Sequence, residues 1–346
     1  MEEAILANGE PLAPATSSPT NKTATAFEFK GDGTEYFKIW IVNILLTVVT
    51  LGIYSAWATV RNNRYFYSNL YLDGHNFSYL AQPLTILKGR IIAIIAFAAF
   101  TFISQASPVL SIALSLAFLI AMPYIIIQSL AFSRRMTAYR NVQFRFNAGY
   151  GEAAMAFIVW PILGLVSFGI LYPMAILKMS QFTMRNTAYG TSKFDFTATY
   201  SDYGVIFLTM IGVGLVLGLP IWGIGFMFPA LTPVMPLISA IIYLGLGLYF
   251  IVQTNNLFFN KLSLQDHSFK GSLDMVSLGK VILINLFLTI VTLGLYLPAA
   301  KVRMVKYISS KVTMNVSGSL DNFQAAEEQQ INALGEEMGN VFDLGV

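Results

Sequence analysis

The chain is 346 residues long, 55% hydrophobic and only 11% charged, with a formal net charge of +3. Soluble globular chains carry roughly 25% charged residues, so this composition excludes an ordinary soluble domain and points to a polytopic membrane protein. There is no cysteine, which removes disulfides, thiolate metal sites and cysteine nucleophiles; two histidines, His75 and His267, do not make a histidine metal site, and no basic run invites nucleic acid.

Residues 1–26 are polar, rich in Pro, Thr, Ser and Ala, and lack the apolar core of a signal peptide; they predict a disordered tail. Order is expected to begin with FEFKGDG (27–33), a lone aromatic-x-aromatic strand. The phrase LTVVTLGIYSAWATVRNNRYFY (46–67) follows, with a tight turn at Leu51-Gly52 between two helices. LYLDGHNFSY (70–79) is a short alternating stretch, a turn-forming pair, then aromatic-x-aromatic, which is a β-hairpin signal. Ile91–Phe102, extended on both sides, and Pro108–Ala131 are apolar enough to cross about 30 Å of hydrocarbon. A second hairpin, TAYRNVQFRF (137–146), leads to LGLVSFGILYPMAILKMSQFTMRNTAYG (163–190), a looser copy of the first phrase with Phe168-Gly169 in the turn. The hairpin TAYGTSKFDF (187–196) precedes the apolar runs Val205–Phe228 and Pro236–Val252, and LSLQDHSFKG (262–271) is a fainter fourth hairpin. Then the first phrase returns as LTIVTLGLYLPAAKVRMVKYIS (288–309), half its positions identical and no gap. Asn43 falls on Asn285, Tyr54 on Tyr296, Arg61 on Arg303 and Tyr65 on Tyr307. Residues 319–346 read as an acidic amphipathic tail.

The expected fold is therefore a polytopic α-helical membrane protein of about ten helical segments in five internal repeat units, roughly 27–76, 77–143, 144–193, 194–268 and 269–318. Hairpins between the units form a small cytoplasmic β-layer. All Lys and Arg lie on the hairpin side or in the tail, and the opposite loops carry no charge. By the positive-inside tendency the hairpins and both termini are cytoplasmic. The first and last helix pairs are too short, before their charges begin, to cross a full bilayer comfortably.

Counting back from each hairpin places Arg61, Gln128, Lys178, Gln253 and Arg303 at equivalent positions near the cytoplasmic end of each unit's second helix. Around a common axis they form a polar collar suited to an anion or lipid head group; as independent residues they are interfacial anchors. Asn43 and Asn285 sit inside apolar helices, where an amide needs a partner; helix–helix bonding and pathway lining are its two readings. Acids at helix starts, Asp32, Glu35, Glu152, Asp202 and Asp274, read as caps. No predicted membrane segment has a mid-membrane carboxylate, which argues against ion-coupled transport. No Ser-His-Asp set, HExxH or GxSxG can be assembled, so no enzyme and no cofactor is expected.

The stretch NILLTVVTLGIYSAWATVRNNRYFYSNLYLDGHNFSY, together with the end ALGEEMGNVFDLGV, resembles the YjgN family, bacterial inner-membrane proteins with a domain of unknown function. The resemblance runs over 27–346 and implies a multi-pass protein of the inner membrane; it implies no activity, substrate or catalytic residue. Two functions are expected from the residues. The first is a carrier or channel for an anionic, amphipathic or lipid-like solute held by the collar. The second is a non-transporting scaffold binding lipid head groups or a protein partner at the cytoplasmic sheet. Membrane lipids are the expected partners of either.

Overall fold

The structure, a computed structural model, describes residues 22–318 together with Leu320 and Phe323. Its strands are β1 (Lys22–Ala26), β2 (Glu28–Phe29), β3 (Leu70–Leu72), β4 (His75–Tyr79), β5 (Thr137–Tyr139), β6 (Val142–Phe146), β7 (Thr187–Tyr189), β8 (Ser192–Phe196), β9 (Leu262–Leu264), β10 (His267–Gly271) and β11 (Val312–Ser317). They form one sheet in the order β1-β11-β10-β9-β8-β7-β6-β5-β4-β3-β2, every pairing antiparallel. Only Phe27 separates β1 from β2, and its N–H donates to the Val312 carbonyl at 3.1 Å. The two ends of the strand order are thus one length of chain, and the sheet closes on itself like a barrel.

This closure corrects two expectations. The four expected hairpins are present and pair side by side, but with β1, β2 and β11 the layer closes into a barrel, and closure leaves no unpaired strand edge. Residues 22–26 are not tail: Lys22 to Ala26 pair with Ser317 to Thr313. The segment KTATA has no apolar alternation, but its two β-branched threonines suit a strand whose partner is already in place. The tail expected over 1–21 lies outside the described residues, as does that over 319–346 apart from Leu320 and Phe323.

The tight turns are set by local chemistry. Asp73-Gly74 (φ 48° and 72°) and Arg140-Asn141 (φ 46° and 64°) place both central residues in the left-handed region, matching the right-handed twist of a two-residue hairpin. Between turns the strands alternate. Phe27, Phe77, Phe144, Phe194 and Phe269 point inward onto Leu72, Tyr139, Tyr189, Leu264 and Met314. Phe77 stacks on Tyr139 with ring centroids 4.7 Å apart, and Phe144 contacts Tyr189 at 5.0 Å and Phe194 at 6.3 Å. At the hairpin end Phe323 packs on the inner rings, 5.3 Å from those of both Tyr189 and His267. Each fully buried aromatic, Tyr139, Tyr189 and Phe323, contributes about 1.5–3 kcal/mol as an upper bound, and the half-buried phenylalanines less. The aromatic-x-aromatic motif therefore serves the barrel core.

Antiparallel helix pairs rise from the other end of the barrel. Three are short: α1 (Gly33–Val49) with α2 (Ser55–Ser68); α5 (Tyr150–Ala154) and α6 (Trp160–Val166) with α7 (Tyr172–Arg185); and α10 (Met275–Val291) with α11 (Leu297–Ser310). Two are long: α3 (Pro83–Ala106) with α4 (Pro108–Arg135), and α8 (Tyr200–Met227) with α9 (Met235–Asn260). All four long helices are long and apolar enough to cross a membrane. Each helix packs chiefly on its neighbours in the chain, and α1 packs on α11, so this crown closes as the barrel does. A π turn, Met155–Val159, joins α5 to α6; Pro161 has no N–H to give the Phe157 carbonyl, and the widened turn absorbs the mismatch.

The tips of the short pairs share one conformation. Leu51, Phe168 and Leu293 have φ of 50°, 53° and 51°, and Gly52, Gly169 and Gly294 have φ of 92°, 91° and 91°. In each, the glycine N–H reaches back over the last helical turn, to the carbonyl of Thr47, Gly164 or Thr289, at 2.8 Å. This satisfies carbonyls that a helix end leaves open. The three tip side chains are 94%, 98% and 93% exposed.

Candidate functional site at the junction of crown and barrel

The repeated phrase builds the same lock twice. Asp32 caps α1, its Oδ1 accepting from the N–H groups of Thr34 and Glu35 at 2.8 and 3.1 Å. The Tyr65 hydroxyl, from the end of α2, accepts from the Asp32 N–H at 2.8 Å and donates to the Asp32 carbonyl at 2.7 Å. At the other end of the chain Asp274 caps α10 through Ser277 N–H, and the Tyr307 hydroxyl bonds the Asp274 N–H and carbonyl at 3.2 and 3.1 Å. Both carboxyls are held below the usual carboxylate value, first by backbone N–H groups, from Glu35 for Asp32 and from Ser277 for Asp274.

Deeper in these pairs the copies diverge. Asn43 is buried; its Nδ2 donates to Asn62 Oδ1 at 2.9 Å, and its Oδ1 accepts from Arg61 at 3.3 Å. Arg61 also donates to the Tyr54 hydroxyl at 3.1 Å. Asn285 donates to the Ala300 carbonyl at 3.1 Å, but its buried Oδ1 has no partner. Met304 stands where Asn62 stands in the first copy, and Arg303 lies over the Tyr296 ring at 5.5 Å instead of reaching Asn285. Lys178 lines an open groove of about 610 Å³ with Glu152, Trp160, Gln181 and Arg185, beside the π turn. Gln128 is exposed on α4 and Gln253 half-buried on α9, and neither is joined to the other three collar residues by a hydrogen bond. The structure thus joins Asn43 to Arg61, and no hydrogen bond joins any two of Arg61, Gln128, Lys178, Gln253 and Arg303.

Several polar positions escaped the sequence reading. Arg64 donates to the Ala81 carbonyl, Gln181 to that of Ala198 and Asn256 to that of Leu273, each across the same 17-residue separation. These clamps fix the start of the following helix from the end of the preceding one; only the constant spacing, not the residue type, could have revealed them. Arg90 of α3 bonds the hydroxyls of Ser55 and Thr59 (2.8 Å to the latter), tying a long pair to a short one. Arg140 forms a 2.6 Å ion pair with Asp73 between adjacent hairpins.

Arg134, in the last turn of α4, lines a cavity of about 360 Å³ inside the barrel. The cavity walls are the inward rings, with Tyr67, Thr137 and Thr187 at the crown end and Leu320 and Phe323 at the hairpin end. The Tyr139 and Tyr189 hydroxyls donate to the carbonyls of Leu72 (2.7 Å) and Tyr139 (2.9 Å). Burial pushes the Tyr189 hydroxyl pKa up, so it stays a donor. Burial pushes His267 down; its Nδ1 accepts the Ser317 N–H at 3.0 Å, which requires the unprotonated nitrogen.

Comparison with known proteins agrees with this membrane-seated architecture. The family described as "Bacterial protein of unknown function (DUF898)" matches residues 24–341. A protein named inner membrane protein YjgN from Escherichia coli (strain K12) is 31% identical over 145 residues, 42% of this chain and 36% of the relative. Its counterpart in Salmonella typhimurium is 31% identical over 140 residues, 40% of this chain and 35% of the relative. The aligned stretch therefore spans about a third of the relatives' length. No solved structure matches.

Proposed function

The chain belongs to the DUF898 family of bacterial proteins of unknown function, and from that premise we propose a non-conducting scaffold of the inner membrane. In this reading the long pairs cross the bilayer, and the barrel stands on the cytoplasmic side, offering a closed surface to lipid head groups or a protein partner. One observation carries it: the barrel interior is walled by five phenylalanines and, among the described residues, only one charged side chain lines it, so it offers no continuous polar path along the axis. The charge asymmetry supports cytoplasmic hairpins and termini. The equal short-pair tips and the three 17-residue clamps support five duplicated units. The proposal includes no catalysed reaction.

A carrier of anionic amphiphiles is the second reading, favoured by the open groove at Lys178 and Arg185. Proteoliposomes loaded with an anionic dye separate the two. The scaffold predicts efflux equal to that of protein-free vesicles. Saturable efflux abolished by Arg61→Gln or Lys178→Gln would replace it with the carrier. Cysteine-accessibility labelling at Asn141→Cys should react from the cytoplasmic side alone; reaction from outside would overturn the orientation.

A further inference from the structure

We propose that the barrel interior is a binding site for a single-chain amphiphile with an anionic head, its tail among the inward phenylalanines and its head on Arg134. This does not rest on the scaffold reading, because a protein that conducts solute elsewhere can still hold such a ligand.

The cavity has two chemically different ends. Arg134 is its one charged lining residue among the described residues, and it sits where α4 meets β5. Its Nε is buried and has no hydrogen-bond partner. A buried donor of a charged group left unpaired is costly, and an anionic oxygen from a ligand removes that cost. The Tyr67 and Thr137 hydroxyls, 3.5 Å apart, line the same end and can share the head. Beyond them the lining is apolar. The inner tyrosine hydroxyls are spent on backbone carbonyls, so their rings present only carbon to the space. Phe323 and Leu320 line the opposite end, so the tail lies against apolar side chains along its length.

Size and position narrow the ligand. About 360 Å³ lies near the small end of the roughly 300–1,000 Å³ usual for small-molecule sites. That is room for one alkyl chain, not the paired chains of a phospholipid. The charged end faces the crown, so an amphiphile leaving the bilayer would enter tail-first and leave its head near the membrane surface. Carboxylate and phosphate monoester heads share the needed chemistry.

The test uses the full chain in nanodiscs of defined phospholipid, with a fluorescent C16 carboxylate as probe. Saturable one-to-one binding is expected, displaced by palmitate but not by its methyl ester. Displacement by lysophosphatidate as well as palmitate would assign a general anionic head; palmitate alone would assign a carboxylate. Arg134→Gln should weaken binding about ten-fold or more, Arg134→Lys should retain most of it, and Arg135→Gln, at an exposed neighbour outside the cavity lining, should leave it unchanged. A diazirine-bearing C16 carboxylate on wild-type protein covers the case in which a variant fails to fold. Cross-links on Tyr139, Tyr189 or Phe323 are expected. Cross-links confined to the lipid-facing sides of α3, α4, α8 and α9, or equal binding of acid and ester, would overturn the site.

Discussion

The pairs α1/α2 and α10/α11 are written with nearly the same words and fold to the same lengths, 17 and 14 residues, with the same tip and the same tyrosine lock. Their interiors nevertheless differ. In the first pair an amide bridge runs Asn62 to Asn43 to Arg61. In the second, Met304 replaces Asn62 and packs instead on the apolar cluster of Val252, Leu273 and Leu278. The duplicated phrase thus specifies backbone geometry: cap, tip and lock. The side chain at the bridging position answers to the neighbouring pair, which is a short helix for one copy and a long one for the other.

The sharpest way to break this comparison is to remove each asparagine. Asn43→Leu leaves Arg61 and Asn62 without their partner and should cost about 1–3 kcal/mol, read as a lowered Tm in detergent. Asn285→Leu removes one bond together with an unpaired buried oxygen and should be nearly neutral. Equal losses would mean that the bridge contributes nothing of its own. Tyr65→Phe should cost about 1 kcal/mol and Tyr307→Phe less, because the first lock has the shorter bonds. A larger loss at Tyr307 would reverse the ranking.

The comparison sharpens if the missing bridge is rebuilt. Met304→Asn sacrifices apolar packing, so its raw effect is destabilising. In a cycle with Asn285→Leu, the Met304→Asn change should cost about 0.5–1.5 kcal/mol less when Asn285 is present. Zero coupling would show that the second pair cannot form the bridge. The smallest effect concerns pH. Asp32 and Asp274 have folded pKa values depressed below 3.8, so their caps stabilise above that value and are lost as pH falls through the folded pKa. Asp32→Asn should flatten the acid limb of a Tm-against-pH curve more than Asp274→Asn, since Asp32 accepts two backbone bonds and Asp274 one.

The repeat of Leu51-Gly52 at Leu293-Gly294 and the four turn-bracketed hairpins were legible because local rules write them: a left-handed tip wants glycine, and a two-residue turn wants Asp-Gly or its like. Closure was not legible. KTATA looks like a polar tail, and only its distant partner Val312–Ser317 makes it a strand. Arg134 was also invisible, since a lone arginine at a helix end ordinarily reads as an interfacial anchor. Its significance comes from the rings that surround it, contributed by strands scattered over most of the chain. Aligning Arg61, Gln128, Lys178, Gln253 and Arg303 fixed their place along each helix, whereas local partners such as Tyr54 and Tyr296 decide where their heads go.

The pairing of Lys22 with Ser317 has a consequence in time. Among the described strands β1 leaves the ribosome first, and β11, its partner, last. At roughly 5–20 residues per second β1 waits tens of seconds for its mate. Throughout that interval both rims of the growing sheet are open to foreign strands. Completion of the barrel is thus registered at one seam, and a chain truncated before Val312 leaves that seam unsealed however well its helices are inserted.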